Sequence, residues 1–149
     1  MRDLEVAEIR VAMSGEAPVV VMREVRGDRL LPIWMSAGGA AAIVSATQEP
    51  DEHRPYIHDL FVRMLAAIDA TVREVRITDH IDGQFFAEID LGERVVAARP
   101  SDAIALALRI GCPIRCGKEV LAEAGIVVTP PDEVERFRAF LDEVSPDDF

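Results

Sequence analysis

Hydrophobic positions along the chain switch between two periods, and the switches divide it into elements. Residues 4–12, "LEVAEIRVA", alternate polar and apolar side chains, while "PVVVMREV" (18–25) and "RLLPIWM" (29–35) are nearly continuous apolar runs. All three predict strands, separated by turns at Ser14-Gly15 and Gly27-Asp28. At "SAGGAAAIVSATQ" the pattern changes to small residues and predicts a helix, with Ser36 placed as its N-cap. After the polar loop "EPDEHRP", the segment "IHDLFVRMLAAIDA" repeats apolar residues at intervals of three and four. Leu60, Phe61, Met64, Leu65 and Ile68 then form a stripe expected to face the core.

The second half follows the same order. "TVREVRITDH", "QFFAEIDL" and "RVVAA" predict strands, the first two joined across Asp82-Gly83, a strong type I′ hairpin signal. Ser101 is placed as the cap of the helix "DAIALALRI", which stops at Gly111 with Pro113 following. A short strand "PIRC" and a helix "KEVLAEAG" come next. Shifting one half onto the other places Leu30 on Val95, Ile33 on Ala98, Ser36 on Ser101, Ala40 on Ala105 and Ile43 on Leu108. The expected fold class is therefore α+β: one compact domain with a mixed or antiparallel sheet, packed helices and an internal βββα-type duplication. It spans 1–129, with pseudo-repeats of about 1–70 and 71–129. Residues 130–149 are expected to add an acidic amphipathic helix and tail, with Val134, Phe137, Leu141 and Val144 on one face.

A length of 149 residues with 50% hydrophobic and 29% charged side chains suits one domain with a real core. The apolar stretches fall short of the ~20 residues a bilayer requires, and the N-terminus lacks a secretory apolar region, so a cytoplasmic protein with no membrane partner is expected. Extended chain would hold Cys112 and Cys116 roughly 13 Å apart, too far for a disulfide, so two buried free thiols are expected. The net charge of −11, of which the last twenty residues carry −5, excludes a protein that coats nucleic acid through a broad basic face. Any phosphate must meet a local cluster of Arg.

Two joints offer one Arg each toward such a cluster. Arg-Pro leads into a helix at "RPYIHDL" (54–60) and at "RPSDAIAL" (99–106), each with an Asp close behind. Pro bars the preceding residue from helical geometry and so fixes where the Arg sits, and Arg is the side chain best shaped to grip carboxylate or phosphate. Two readings follow. Arg54 and Arg99 pair with Asp59 and Asp102 and brace the joints, or the same groups line a cleft in which the Arg residues hold a phosphodiester and His58 moves a proton. Other candidates point to structure. "SAGGAAA" lacks the Lys-Ser/Thr of a phosphate loop, Trp34 fills core, and His53 and His80 are expected to be solvated loop residues.

On "LPIWMSAGGAAAI", "RPYIHDL", "ITDHIDGQFFAEI", "RPSDAIALALRIGCPI" and "FLDEVSPDDF", the sequence resembles the bifunctional nuclease family over nearly its full length. That resemblance implies a compact α+β domain that hydrolyses phosphodiesters in RNA or DNA with low sequence specificity. It implies His58, Asp59 and Asp102 as catalytic residues, with Arg54, Arg99 and Ser101 binding substrate and a divalent cation such as Mg as the cofactor to test. The chain departs from the family pattern at Gly39, where a Glu is common, and at Ile57, where a Thr is common. The first departure removes a carboxylate from any metal site, and the second a candidate N-cap hydroxyl. The missing acid at Gly39 and the −11 charge motivate the other reading, a non-catalytic homodimeric interaction or regulatory module.

Overall fold

Asp82 and Gly83 both take positive φ, 51° and 78°, the backbone a two-residue type I′ turn requires, and the strands on either side close over them from Ile81 opposite Gln84. The computed structural model describes residues 1–10, 16–128 and Leu141. Strands β1 (Arg2–Arg10), β2 (Val19–Glu24) and β3 (Arg29–Trp34) are followed by helices α1 (Ala37–Ser45) and α2 (Ile57–Ala67). Then come β4 (Glu74–Ile81), β5 (Gln84–Asp90), β6 (Val95–Ala98), helix α3 (Pro100–Ile110), β7 (Ile114–Cys116), α4 (Lys118–Ala124) and β8 (Ile126–Val127). Gly111, in the left-handed region at φ 82°, ends α3 where the sequence places its stop.

The strands form a single mixed sheet in the order β6-β5-β4-β7-β1-β2-β3-β8. Two antiparallel meanders, β1–β3 and β4–β6, are joined through β7, which runs parallel to β4 and antiparallel to β1. Pro32 fits inside β3 because β8 pairs only with Arg29 and Leu30, which leaves the outer edge free where Pro lacks its N–H. The order of three strands and then a helix occurs twice, yet the residue overlay does not carry burial with it. Leu30 is buried whereas Val95, on the edge strand, is exposed.

Helices cover one face of the sheet. The side chains of Leu31, Ile33, Ile43, Val75, Ile77, Ile104 and Leu121 meet there in the main core. Helix α3 is central, with every residue from Ala103 to Ala107 buried, and its run of alanines lets α1 approach closely. On the opposite face Val19, Val21 and Leu30 pack with Leu141, and Trp34 packs against this second cluster as core filling. Apart from Leu141, the acidic segment 130–149 lies outside the described residues. Both cysteines are free, and burial, seconded by the charge of Glu24, pushes the Cys116 thiol up to about 12, which marks it as inert.

Two expectations are corrected. Helix α2 does not turn its apolar stripe to the core: Leu60, Phe61, Met64 and Ile68 are exposed, and α2 has no fully buried residue. Its inner face carries His58, Asp59, Val62 and Leu65, because polar bonds to α3 hold the helix where apolar packing was expected to do so. His80 is not a loop residue either. It sits on β4 with its ring largely buried and in tilted contact with Phe85, the ring centroids 4.4 Å apart.

Candidate functional site

Pro100 occupies the first turn of α3 and holds Arg99, the N-cap residue, extended at φ −68° and ψ 144°. Arg99 therefore stands at the rim of the helix start, with its side chain 70% exposed. Ser101 falls in the first turn, not at the cap, and no side chain caps α3. At α1 the expected cap is present, with Ser36 Oγ accepting from the Gly39 amide at 3.1 Å.

Asp102 is the hub of the site. Its Oδ1 lies 2.9 Å from Nε2 of His58 in the first turn of α2, and its Oδ2 accepts from Nε of Arg99 at 2.9 Å. Burial pushes the Asp102 carboxyl up, but the hydrogen bonds from Arg99 and His58 outweigh it and hold it below the ordinary carboxylate range. The Arg99 guanidinium is raised in return, first by its hydrogen bond to Asp102. With Asp102 ionised, the proton of a neutral His58 belongs on Nε2, and Nδ1 is left with its lone pair free. Nδ1 has no hydrogen-bond partner among the described residues. The His58 side chain is 16% exposed and lines a groove of about 220 Å³ between α1 and α2, so the ring keeps one open side.

Asp59 is placed elsewhere. Arg109, in the last turn of α3, donates from Nε to Asp59 Oδ1 at 2.7 Å, from Nη1 to the carbonyls of Ala42 and Ala105, and from Nη2 to Ser45 Oγ. One guanidinium thus ties α1, α2 and α3 together. The sequence reading missed Arg109. Its available signal was that it is the single charge in the otherwise apolar run "AIALALRIG".

Arg54 is exposed before α2, and its side chain makes no ion pair with Asp59 or Asp102. Gly39 abuts the first turn of α3: a Cβ there would stand 2.8 Å from Ser101 Cβ, so this packing admits no side chain at the position where a Glu was noted as missing. Position 57 is likewise not a cap, since Tyr56 is the N-cap residue of α2. A divalent cation finds no prepared ligand set. Among the described residues no three His, Cys, Asp or Glu side chains gather to hold a metal, and Asp59 and Asp102 are both engaged by Arg.

The chain is an α+β protein with a His-Asp-Arg chain at the starts of α2 and α3, and sequence comparison supplies the family. The bifunctional nuclease domain matches residues 20–129, and the chain belongs to that family. Two uncharacterized proteins of Mycobacterium tuberculosis, from different strains, are each 42% identical over 161 aligned positions, covering 100% of this chain and 98% of theirs. Bifunctional nuclease 1 of Oryza sativa subsp. japonica is 27% identical over 126 positions, 80% of this chain and 38% of that protein. Bifunctional nuclease 2 of the same plant is 29% identical over 79% of this chain and 39% of its own length. The chain therefore spans about two fifths of each rice nuclease.

Proposed function

We propose that the chain hydrolyses phosphodiester bonds of RNA or DNA with low sequence specificity, using the His58-Asp102-Arg99 group. The observation that carries this reading is the 2.9 Å contact of His58 Nε2 with an ionised Asp102 whose other oxygen holds an exposed Arg99. In this reading Asp102 orients His58 and stabilises it when it gains a proton. His58 Nδ1 takes a proton from the attacking water as its oxygen bonds to phosphorus, Arg99 neutralises the charge that builds on the phosphoryl oxygens, and the protonated His58 returns the proton to the leaving oxygen as its bond to phosphorus breaks. Ser101 and the exposed Arg54 contact the substrate strand, and Asp59 acts through its pair with Arg109 to hold α2, and with it His58, in place. No step is assigned to a metal. Two free cysteines suit a cytoplasmic setting.

The test is cleavage of plasmid and structured RNA by the purified protein, with and without chelator, beside His58→Ala and Arg99→Ala. General acid-base work contributes about 10²- to 10⁴-fold, so His58→Ala is expected to lose that much in kcat. Cleavage that continues unchanged in both variants would mean that the chemistry lies elsewhere.

A second reading, a homodimeric module, is favoured by one observation. Ile57, Leu60, Phe61, Met64 and Ile68 give α2 an exposed apolar face. On a chain of net charge −11, an uncharged helix face is where two like-charged copies meet at least cost, so a second copy is the occupant we assign to it.

A further inference from the structure

A cleft of about 320 Å³ lies at the starts of α1 and α3, and it shares no lining residue with the groove that His58 lines. Its walls come from Ser36 at the α1 cap, Arg99 and Ser101 at the start of α3, Met35 at the end of β3, and Gln84 and Phe85 at the start of β5. We propose that it is a nucleotide subsite, which takes a phosphate at the two helix starts and the attached nucleoside against Met35 and Phe85. The nuclease reading enters only in the choice of a nucleotide as the phosphate-bearing ligand.

Three observations support this assignment. Ser101 is only 6% exposed, yet its hydroxyl makes no hydrogen bond among the described residues and lines the cleft. The hydroxyl is open to the cleft rather than sealed in the core, so its O–H is available to donate to an oxyanion there. Second, the starts of two helices of 9 and 11 residues meet there, and Gly39 against Ser101 makes their close approach possible. The first-turn amides of a helix lack intrahelical acceptors and favour an anion, and α1 has no acidic residue in its first turn to satisfy that preference internally. Third, the chain carries 27 acidic residues against 16 basic ones, yet among the described residues the cleft is lined by no carboxylate and by one Arg. Its volume lies at the low end of small-molecule sites, a size suited to one nucleotide.

The experiment is a titration of the isotopically labelled protein with 5′-AMP, inorganic phosphate, adenosine and the dinucleoside monophosphate ApA, followed by amide NMR and calorimetry. AMP is expected to shift the amides of Ala37, Gly38, Ser101 and Asp102, phosphate to shift the same amides more weakly, and adenosine to leave them in place. Ser101→Ala, checked for a native spectrum, is expected to weaken AMP at least about tenfold, the loss of one hydrogen bond to a charged group. Phe85→Ala should weaken AMP and spare phosphate. AMP binding more tightly than ApA identifies a terminal phosphate as the ligand, and equal binding identifies an internal phosphodiester. Absence of these shifts with every phosphate compound, or adenosine binding as well as AMP, overturns the proposal. Cleavage is assayed separately, so cleavage without nucleotide shifts rejects the subsite alone, and nucleotide shifts without cleavage reject the nuclease reading alone.

Discussion

Arg109 Nε holds Asp59 Oδ1 at 2.7 Å across the contact of α3 with α2, with the two side chains only 6% and 14% exposed. Removing the cation leaves a buried carboxylate without its partner, the costly way to break such a pair. Arg109→Met also gives up the bonds to Ala42, Ala105 and Ser45. A loss of about 3–5 kcal/mol is expected, read by urea unfolding. Asp59→Asn, which keeps an acceptor oxygen, should cost less. The double variant Arg109→Met/Asp59→Leu should recover much of the loss, because no buried charge remains. Equal losses in the single and double variants would show that the pair itself is not what matters.

The contact of Gly39 with Ser101 makes a second prediction in which two effects oppose each other. Ala is about 1 kcal/mol better than Gly within a helix, which favours Gly39→Ala. Against this, the new Cβ would stand 2.8 Å from Ser101 Cβ, an atom fixed to the backbone of α3 that cannot swing away. Overpacking of this kind costs about 1–3 kcal/mol, so a net destabilisation is expected and should appear as a lower Tm. In a background where Ser101 is replaced by Gly, the same substitution should become neutral or stabilising. A higher Tm for Gly39→Ala alone would count against the close packing of α1 on α3.

Much of the fold was legible in sequence because its signals are local. The Asp82-Gly83 turn, the Ser36 cap and the Gly111 stop each act within a few residues, and each occurs where the pattern placed it. The misreadings share another cause. Helix α2 has an apolar stripe and a polar stripe, and periodicity alone does not say which one faces inward. That was decided by His58 and Asp59 meeting Asp102 and Arg109, partners more than forty residues away. Asp102 was visible as a candidate because it follows the Arg-Pro joint. Arg109 was hidden because an Arg at a helix end is ordinary until the helices it binds are known.

Asp102 links the site to pH. Its carboxyl is held below the ordinary range in the folded state, so the folded state binds its proton less readily than the unfolded chain does. Its stabilising contribution is present above the unfolded value of about 3.9 and is lost as pH falls through that value to the folded one. With the side chain about one third exposed, solvent screening limits the contribution at neutral pH to about 1 kcal/mol. Asp102→Asn should therefore be less stable than the wild type at pH 7 and should lose less on acidification, with the two denaturation midpoints converging below about pH 4. Parallel midpoints across that range would show that Asp102 is not held in this way.

The exposed face of α2 sets up the last prediction. Phe61, Met64 and Ile68 lie outward on a helix whose inward face carries His58, Asp59, Val62 and Leu65, so they are left as an exposed apolar face. A second copy meeting this face would remove apolar surface from water at about 25 cal/mol per Å² without bringing carboxylates together. The chain is 16.4 kDa, and sedimentation at micromolar concentration is expected to give twice that mass. Met64→Glu would place a carboxylate opposite its own copy and should yield monomers with an unchanged Tm at low concentration, because Met64 makes no contribution to the core. A wild-type protein that stays monomeric over a wide concentration series removes the homodimer, and a dimer that survives Met64→Glu moves the interface away from α2.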